Sequence, residues 1–412
     1  QEQQQLAVQP TKNVAAYDAY LRAEAMWLGG GGDPKNARDV AALHEQAVKL
    51  DPSFALAWAR LSLVRSFMYG SLVPDPALAR GAREAAERAL QLSPGLPEGR
   101  VAMASYFNNV GRDSRRALEQ CTQGLAVDRS NAELLRLAAV SEQSLGRWDE
   151  ALAHAQQARS LDPRSVRPLQ ALGTMLLWQR RYPQAAAAFD DALAIAPKNV
   201  TMIEFKAVAL LGQGDLPGAR ALLQKNSGEV STDALLSEFG LYWDLMWLFD
   251  EAQTKAFLQL PLEAFGGARG ARSLAFAQTY ALQGKTAEMR KAADEAERAF
   301  TSDLAATPDD DQTHILRGLA LAYLGRREEA IQEGERGLAL RSAAHDAYSG
   351  AYNQHQLVRI YMVLGEKEKA LDSLEQLLKA PYYLSPAWLG IDPNFAPLKG
   401  HPRFEALRRM AM

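Results

Sequence analysis

Small and large apolar residues recur along this chain in phase, at a spacing of 34 residues. NAELLRLAAVSEQSLGRWDEALAHAQQARSLDP ends at Pro163, and RSVRPLQALGTMLLWQRRYPQAAAAFDDALAIAP ends at Pro197, so 197 − 163 = 34. Leu172, Gly173, Tyr182, Ala185, Phe189 and Ala192 stand at the offsets of Ala138, Ala139, Trp148, Ala151, Ala155 and Ala158. The pattern predicts two antiparallel helices per unit. Such helices approach closely only where Gly or Ala leaves room and a larger residue fills the gap beside it. The closing proline cannot continue an i→i−4 ladder and so ends the second helix. Gly146 permits the tight turn between the two helices of its unit.

The same register extends in both directions. Gly214 and Ala219, Tyr280 and Gly284, Gly318, Gly325 and Ala330, and Tyr361, Gly365 and Ala370 fall on it downstream. Upstream it takes in Ala82, Ala86 and Ala89 before Pro94, and Trp58 and Leu61 after Pro52. In FGLYWDLMWLF, the expected first helix of the seventh pair, packing accounts for Phe239, Gly240, Trp243 and Phe249. Leu241 and Tyr242 are left as surface contacts. The tail from Pro381 onward carries too many prolines for a helix pair and reads as a segment covering the last repeat's apolar face, finished by a short helix.

These units resemble the tetratricopeptide repeat, with its small residues at fixed places in both helices and its terminal proline. The resemblance implies an all-α, right-handed superhelix (an α-solenoid) of about nine to ten helix pairs. The expected layout is a linker over 1–12, the repeat array over 13–380 and a Pro-rich cap over 381–412. The two ends, PTKNVAAYDAYLRA and SPAWLGIDPNFAPLKGHPRFEAL, are similar to those of the C-terminal repeat region of bacterial membrane-bound regulators. In those proteins a kinase, cyclase or winged-helix domain lies upstream, and the repeats are then expected on the periplasmic side of the inner membrane. Without that link, a cytoplasmic location is expected.

Composition narrows the chemistry. The formal net charge is −3 over 412 residues, which gives no basic field for nucleic acid phosphates or an anionic membrane. Cys121 is the only cysteine, so no intramolecular disulfide and no cysteine zinc knuckle is available. No apolar run is long enough to span a bilayer. GGGGD (Gly29 to Asp33) lacks the GK[ST] of a phosphate loop and reads as an inter-helix loop. GGARGAR (Gly266 to Arg272) could offer amides and guanidiniums to an anion but reads as the loop opening the next helix. The six histidines show no metal-ligand spacing. Cys121 falls at a packing position of a second helix, and the acidic runs at Asp190–Asp191 and Asp309–Asp311 are expected at helix starts or on solvated faces. No catalytic residue, metal or cofactor is expected.

Binding is expected instead. In repeats of this kind, the first helices line the concave side and project side chains into a groove. The register nominates Phe67, Tyr106, Asn109, Arg136, Gln143, Arg167, Gln170, Thr174, Trp178 and Glu204. Amides, guanidiniums and rings together suit an extended peptide. The expected role is a non-enzymatic scaffold or sensor that takes a protein or peptide in this groove. The alternative is a sensor holding a sugar or other metabolite inside the superhelix. Homo-oligomerisation through the end repeats is also open.

Overall fold

The computed structural model describes residues 10–30, 34–71 and 75–410. The first nine residues of the expected linker and residues 31–33 of GGGGD lie outside the described residues. Among the described residues there is no strand. The chain is all-α, as its repeat pattern requires.

The helices follow one another as hairpins. The first four pairs are α1 (Val14–Gly30) with α2 (Pro34–Leu50), α3 (Ala55–Ser71) with α4 (Pro76–Leu92), α5 (Pro97–Asn109) with α6 (Ser114–Val127), and α7 (Ala132–Ser144) with α8 (Trp148–Leu161). They form one compact unit ending at Pro163, and a second unit begins at Arg164. The second unit opens with α9 (Val166–Trp178) and α10 (Tyr182–Ile195), then α11 (Val200–Gly212) and α12 (Leu216–Asn226). After an interrupted pair, α13 (Thr232–Gly240) and α14 (Glu251–Phe257), come α15 (Arg269–Leu282), α16 (Thr286–Ala306), α17 (Asp311–Leu324), α18 (Arg327–Leu340), α19 (Ser349–Val363) and α20 (Lys367–Lys379). The tail adds α21 (Pro386–Ile391), a 3-10 turn over Pro393–Leu398 and α22 (Pro402–Leu407). The first helix of each hairpin is called the A helix below.

Local chemistry starts and stops these helices at repeat intervals. Asn131 and Asn199 each cap an A helix, accepting the Leu134 and Met202 amides at 3.1 and 3.2 Å. The turn inside a hairpin needs a left-handed residue. Gly146, Gly214, Gly284, Gly325 and Gly365 supply it with φ of 72, 80, 71, 79 and 77°. Two hairpins use arginine there instead, Arg112 at φ 47° and Arg180 at φ 58°.

Small residues let the helices close up. A Cβ on Gly173 would lie 2.3 Å from Phe189, one on Gly212 2.3 Å from Tyr182, and one on Gly270 2.5 Å from Phe300. In the first unit alanines do the same work, with Ala82, Ala85, Ala86 and Ala89 of α4 fully buried. Cys121 packs with Val101, Ala104, Leu134, Leu137 and Ala138. Burial pushes its thiol up to about 12, so it is a packing residue, not a thiolate.

Three expectations change here. FGLYWDLMWLF is not one helix: α13 stops at Gly240, and Tyr242 and Asp244 take left-handed φ of 48 and 55°. Tyr242 is not a surface contact but stacks on Tyr352 at 4.3 Å. Asp311 is not on a solvated face; it is 4% exposed and accepts from Asn353 Nδ2 at 2.9 Å and Arg341 Nε at 3.1 Å. GGARGAR turns on Gly266 and Gly267 and enters α15 at Arg269, and Arg272 of that helix donates to the Leu260 carbonyl at 3.1 Å.

Two predictions follow from this packing. Gly173→Ala should lower stability by about 1–3 kcal/mol, the usual cost of overpacking. Urea unfolding should show the loss, and the Gly173→Ala/Phe189→Leu pair should be less damaged than the two single changes added together. The second concerns α7 and α8, which are tied by His154 Nδ1 at 2.7 Å from the buried Glu142 carboxylate. That hydrogen bond raises the His154 pKa above 6.5 in the folded chain. A raised folded value means the pair stabilises fully at and below the unfolded value and fades as the pH climbs through the folded one. The melting-temperature gap between the parent and His154→Gln should therefore be widest at mildly acid pH and close on the alkaline side.

Candidate functional site

The A helices of the first unit carry a continuous strip. Trp27 of α1 meets Phe67 of α3 edge-on, with ring centroids 5.3 Å apart. Gly70 of α3 lies against Asn109 of α5, so close that a Cβ would be 3.3 Å from the Asn109 Cβ. Ser141 of α7 donates to Asn108 Oδ1 of α5 at 3.1 Å. Four A helices are thus linked side by side through their C-terminal halves.

Of the nominated residues, the structure brings Phe67, Asn109 and Gln143 to this strip. Phe67 is half-buried, Asn109 is exposed and donates to Ser105 Oγ at 3.1 Å, and Gln143 is 4% exposed. Arg136 lies a turn and more earlier on α7 and is held by Glu133 at 2.7 and 2.8 Å. Burial works against its charge, but the Glu133 carboxylate outweighs it and holds the pKa above its ordinary value.

A row that the nomination missed runs beside these residues. Ser66 Oγ, Asn108 Nδ2 and Gln143 Nε2 are buried and have no hydrogen-bond partner among the described residues. Each is the twelfth residue of its A helix, counting from Ala55, Pro97 and Ala132. In α9 and α11 of the second unit the twelfth residues are Leu177 and Leu211, both fully buried. A polar side chain at an offset that holds leucine elsewhere was the sequence signal for this row.

Tyr106, also nominated, is placed in a different feature: a cleft of about 410 Å³ between α4, α5 and α6. Arg83, Glu87, Leu90, Arg100, Met103, Tyr106, Phe107, Gly111, Asp113, Arg116 and Gln120 line it.

In the second unit the A-helix face is already filled. Of the segment expected to cap the last repeat, residues 382–385 run against α9 to α11, while the turn over Pro393–Leu398 packs on α19 of the last hairpin, where Phe395 stacks on His355. Tyr182 donates its hydroxyl to the Tyr383 carbonyl at 2.9 Å, Arg180 Nε to the Leu384 carbonyl at 2.9 Å, and Ser385 Oγ to the Gly212 carbonyl at 2.7 Å. The short α22 does pack on α20, where Arg403 reaches Glu368, Asp372 and Glu375 at 2.7 to 3.0 Å. The tail therefore belongs to the core of the second unit.

This corrects two nominations outright. Trp178 is fully buried, stacked on Tyr348 at 4.5 Å and edge-on to Trp243, Tyr382 and Tyr383. It is a core residue, not a groove wall. Glu204 is 3% exposed, and burial, with Glu238 and Asp244 nearby, raises its pKa well above the carboxylate range. Burial of this kind disfavours the charged carboxylate, so Glu204 is a poor source of charge for a ligand. Thr174 is 8% exposed and donates to the Gln170 carbonyl at 2.8 Å, which leaves its hydroxyl turned onto its own helix. Gln170 is half-buried and Arg167 exposed at the start of α9.

The same interior holds a buried ionic cluster. Asp244 accepts from Gln278 Nε2 at 3.0 Å, from Gln356 Nε2 at 2.9 Å and from Arg359 Nη1. Arg359 also donates to Gln278 Oε1 and, at 3.4 Å, to Asn394 Oδ1 of the tail. Beside it, burial and the Arg359 charge hold the His355 pKa down to about 3, so the ring is neutral. Its Nδ1 lies 3.2 Å from the hydroxyls of both Tyr382 and Tyr383. Among the described residues, no group of His, Cys, Asp and Glu could hold a metal ion, and no helix is long and apolar enough to cross a membrane.

Arg359→Met should cost about 3–5 kcal/mol, because it leaves Asp244 buried without its counter-ion. Chemical denaturation should show this loss, and the Asp244→Asn/Arg359→Met pair should recover part of it, as coupled partners do.

The tetratricopeptide repeat family model matches residues 171–226, from within α9 to the end of α12. Among solved structures, the chain is similar to a thermophilic tetratricopeptide repeat protein of Thermus thermophilus, with 21% identity over 48% of this chain and 100% of that one and a TM-score of 0.41. It is similar to the human IFIT1 dimer with m7Gppp-AAAA, with 16% identity over 79% of this chain and 71% of that one and a TM-score of 0.49. It is also similar to PilW, a widely conserved type IV pilus biogenesis factor, with 16% identity over 52% of this chain and 94% of that one and a TM-score of 0.41. No curated protein matches the sequence. The family match thus covers the four helices α9 to α12, and hairpins with the same in-phase small residues precede and follow it.

Proposed function

We propose that this protein is a non-enzymatic scaffold that binds a protein partner through an extended peptide laid along the A-helix strip of its first unit. One observation carries the reading: Asn108 Nδ2, Gln143 Nε2 and Ser66 Oγ stand unpartnered at the same offset of three successive A helices. A buried donor without an acceptor is costly, and main-chain carbonyls are acceptors spaced along a strand. Phe67 at one end and Arg136 at the other would read side chains of such a peptide, one by ring contact and one by charge. The second unit supports the choice by contrast, because its own tail covers the corresponding face.

Within that reading, the chain serves as the sensing or scaffolding part of a bacterial signalling or transcriptional regulator. The terminal segments PTKNVAAYDAYLRA and SPAWLGIDPNFAPLKGHPRFEAL support this placement. A small-molecule sensor is the second reading, and the cleft beside Tyr106 is the observation that favours it.

The test is selection from a displayed library of random peptides against the full chain. Selected peptides should cross-link to a photoreactive residue placed at Asn109. They should bind about tenfold more weakly to Phe67→Ala and to Arg136→Glu, a typical size for one lost anchor contact. Peptides that bind both variants as well as the parent, or a selection that enriches nothing, would remove the strip from consideration.

A further inference from the structure

The cleft beside Tyr106 is separate from the strip. It opens between the two second helices α4 and α6 and the part of α5 that faces them. Its lining combines two chemistries. Leu90, Met103, Tyr106 and Phe107 give it apolar surface, and the two rings meet edge-on at 5.4 Å. Arg83, Arg100 and Arg116 add three guanidiniums to the lining.

Two carboxylates line the cleft, and both are engaged. Glu87 sits 2.8 Å from Arg83, and Asp113 sits 3.4 Å from Arg116. Arg100 is held differently, since its Nη1 donates to the neutral amide oxygen of Gln120 at 2.8 Å. The amide orients the guanidinium without cancelling its charge. Arg116 also leans over the Phe107 ring at 5.8 Å, which keeps a second cation beside the apolar wall. Both surface pairs are side-chain neighbours on solvent-exposed helix faces and are weakly held, so either arginine can turn to a stronger anion.

A cleft of this volume is in the range of small-molecule sites, and its excess charge is positive in a chain whose formal net charge is −3. We infer that it binds a small planar acid, with an aromatic ring seated on Tyr106, Phe107 and Met103 and a carboxylate or phosphate held by Arg100 between Arg83 and Arg116. The Gln120 amide is a positioning residue that fixes the Arg100 fork toward the anion. Because this surface shares no residue with the Phe67–Asn109–Gln143 strip, its occupation does not depend on a peptide being bound there.

Isothermal titration calorimetry on the full chain tests this with phenyl phosphate, benzoate, benzyl alcohol and inorganic phosphate as probes. Saturable binding is expected for phenyl phosphate and for benzoate, weakening as salt is raised, with benzyl alcohol and inorganic phosphate each at least about tenfold weaker. Arg100→Gln and Tyr106→Leu should each weaken phenyl phosphate about tenfold, while Asn109→Ala leaves it unchanged. Circular dichroism melts confirm that both cleft variants fold. Absence of saturable binding below about 10 mM for both aromatic anions would overturn the site. So would inorganic phosphate binding as tightly as phenyl phosphate, or Arg100→Gln binding as well as the parent. A loss in Asn109→Ala equal to that in Arg100→Gln would move the anion to the strip and also refute the cleft.

Discussion

The architecture depends on rings seated where a Cβ would otherwise stand. At Gly173, Gly212, Gly240 and Gly270 the space a Cβ would need is held by Phe189, Tyr182, Phe257 and Phe300, at 2.3 to 2.5 Å from its ideal position. Close-packed interiors leave no slack to absorb even one methyl group, so the choice of glycine at these positions sets the distance between helices. That distance has chemical consequences further along. Tyr182 lies on Gly212, and from there its hydroxyl reaches the Tyr383 carbonyl of the tail. The absence of one side chain on α11 thus helps seat a segment 383 − 212 = 171 residues further along the chain.

Strained backbone marks the other places where the second unit departs from plain repetition. Arg180 occupies the turn position that glycine fills in five other hairpins, at a conformational cost of about 1–2 kcal/mol for a residue with a Cβ. What offsets it is visible: its guanidinium donates to the Leu384 carbonyl and, at 3.4 Å, to that of Leu377. Tyr242 and Asp244 follow the same logic. Ending α13 at Gly240 turns the chain inward, which delivers the Asp244 carboxylate to Arg359 and the Tyr242 ring to Tyr352. Each left-handed residue there gives up local stability for a contact that joins distant parts of the unit.

These departures explain what could be read in the sequence and what could not. Periodicity reports which side chains face a neighbouring helix, and on that basis the hairpins, their turns and the core role of Phe189 or Cys121 were all legible. It does not report a backbone break that brings Asp244 to Arg359, 115 residues further on. The same is true of the tail. Its prolines exclude a helix pair, yet nothing local in YYLSP says that its partners are Arg180, Tyr182 and Gly212. Trp178 and Glu204 were misplaced for this reason: their register correctly puts them on the A-helix face, but that face is covered by chain arriving from elsewhere. The unpartnered row in the first unit was legible in principle, because Ser66, Asn108 and Gln143 stand where α9 and α11 have leucine.

That one offset links sequence, packing and binding most economically. A leucine at the twelfth A-helix position commits the face to apolar burial, and something must then cover it, as Tyr382, Tyr383 and Trp388 do. A serine or amide at the same position cannot be buried against apolar chain without losing its hydrogen bonds, so it excludes an internal cover of that kind. Both units use the same hairpin and the same small-residue packing. What separates α9 and α11 from α3, α5 and α7 is the polarity of this one recurring position. The fold therefore fixes where a ligand could lie, while this position decides whether α3, α5 and α7 still have hydrogen bonds to offer it.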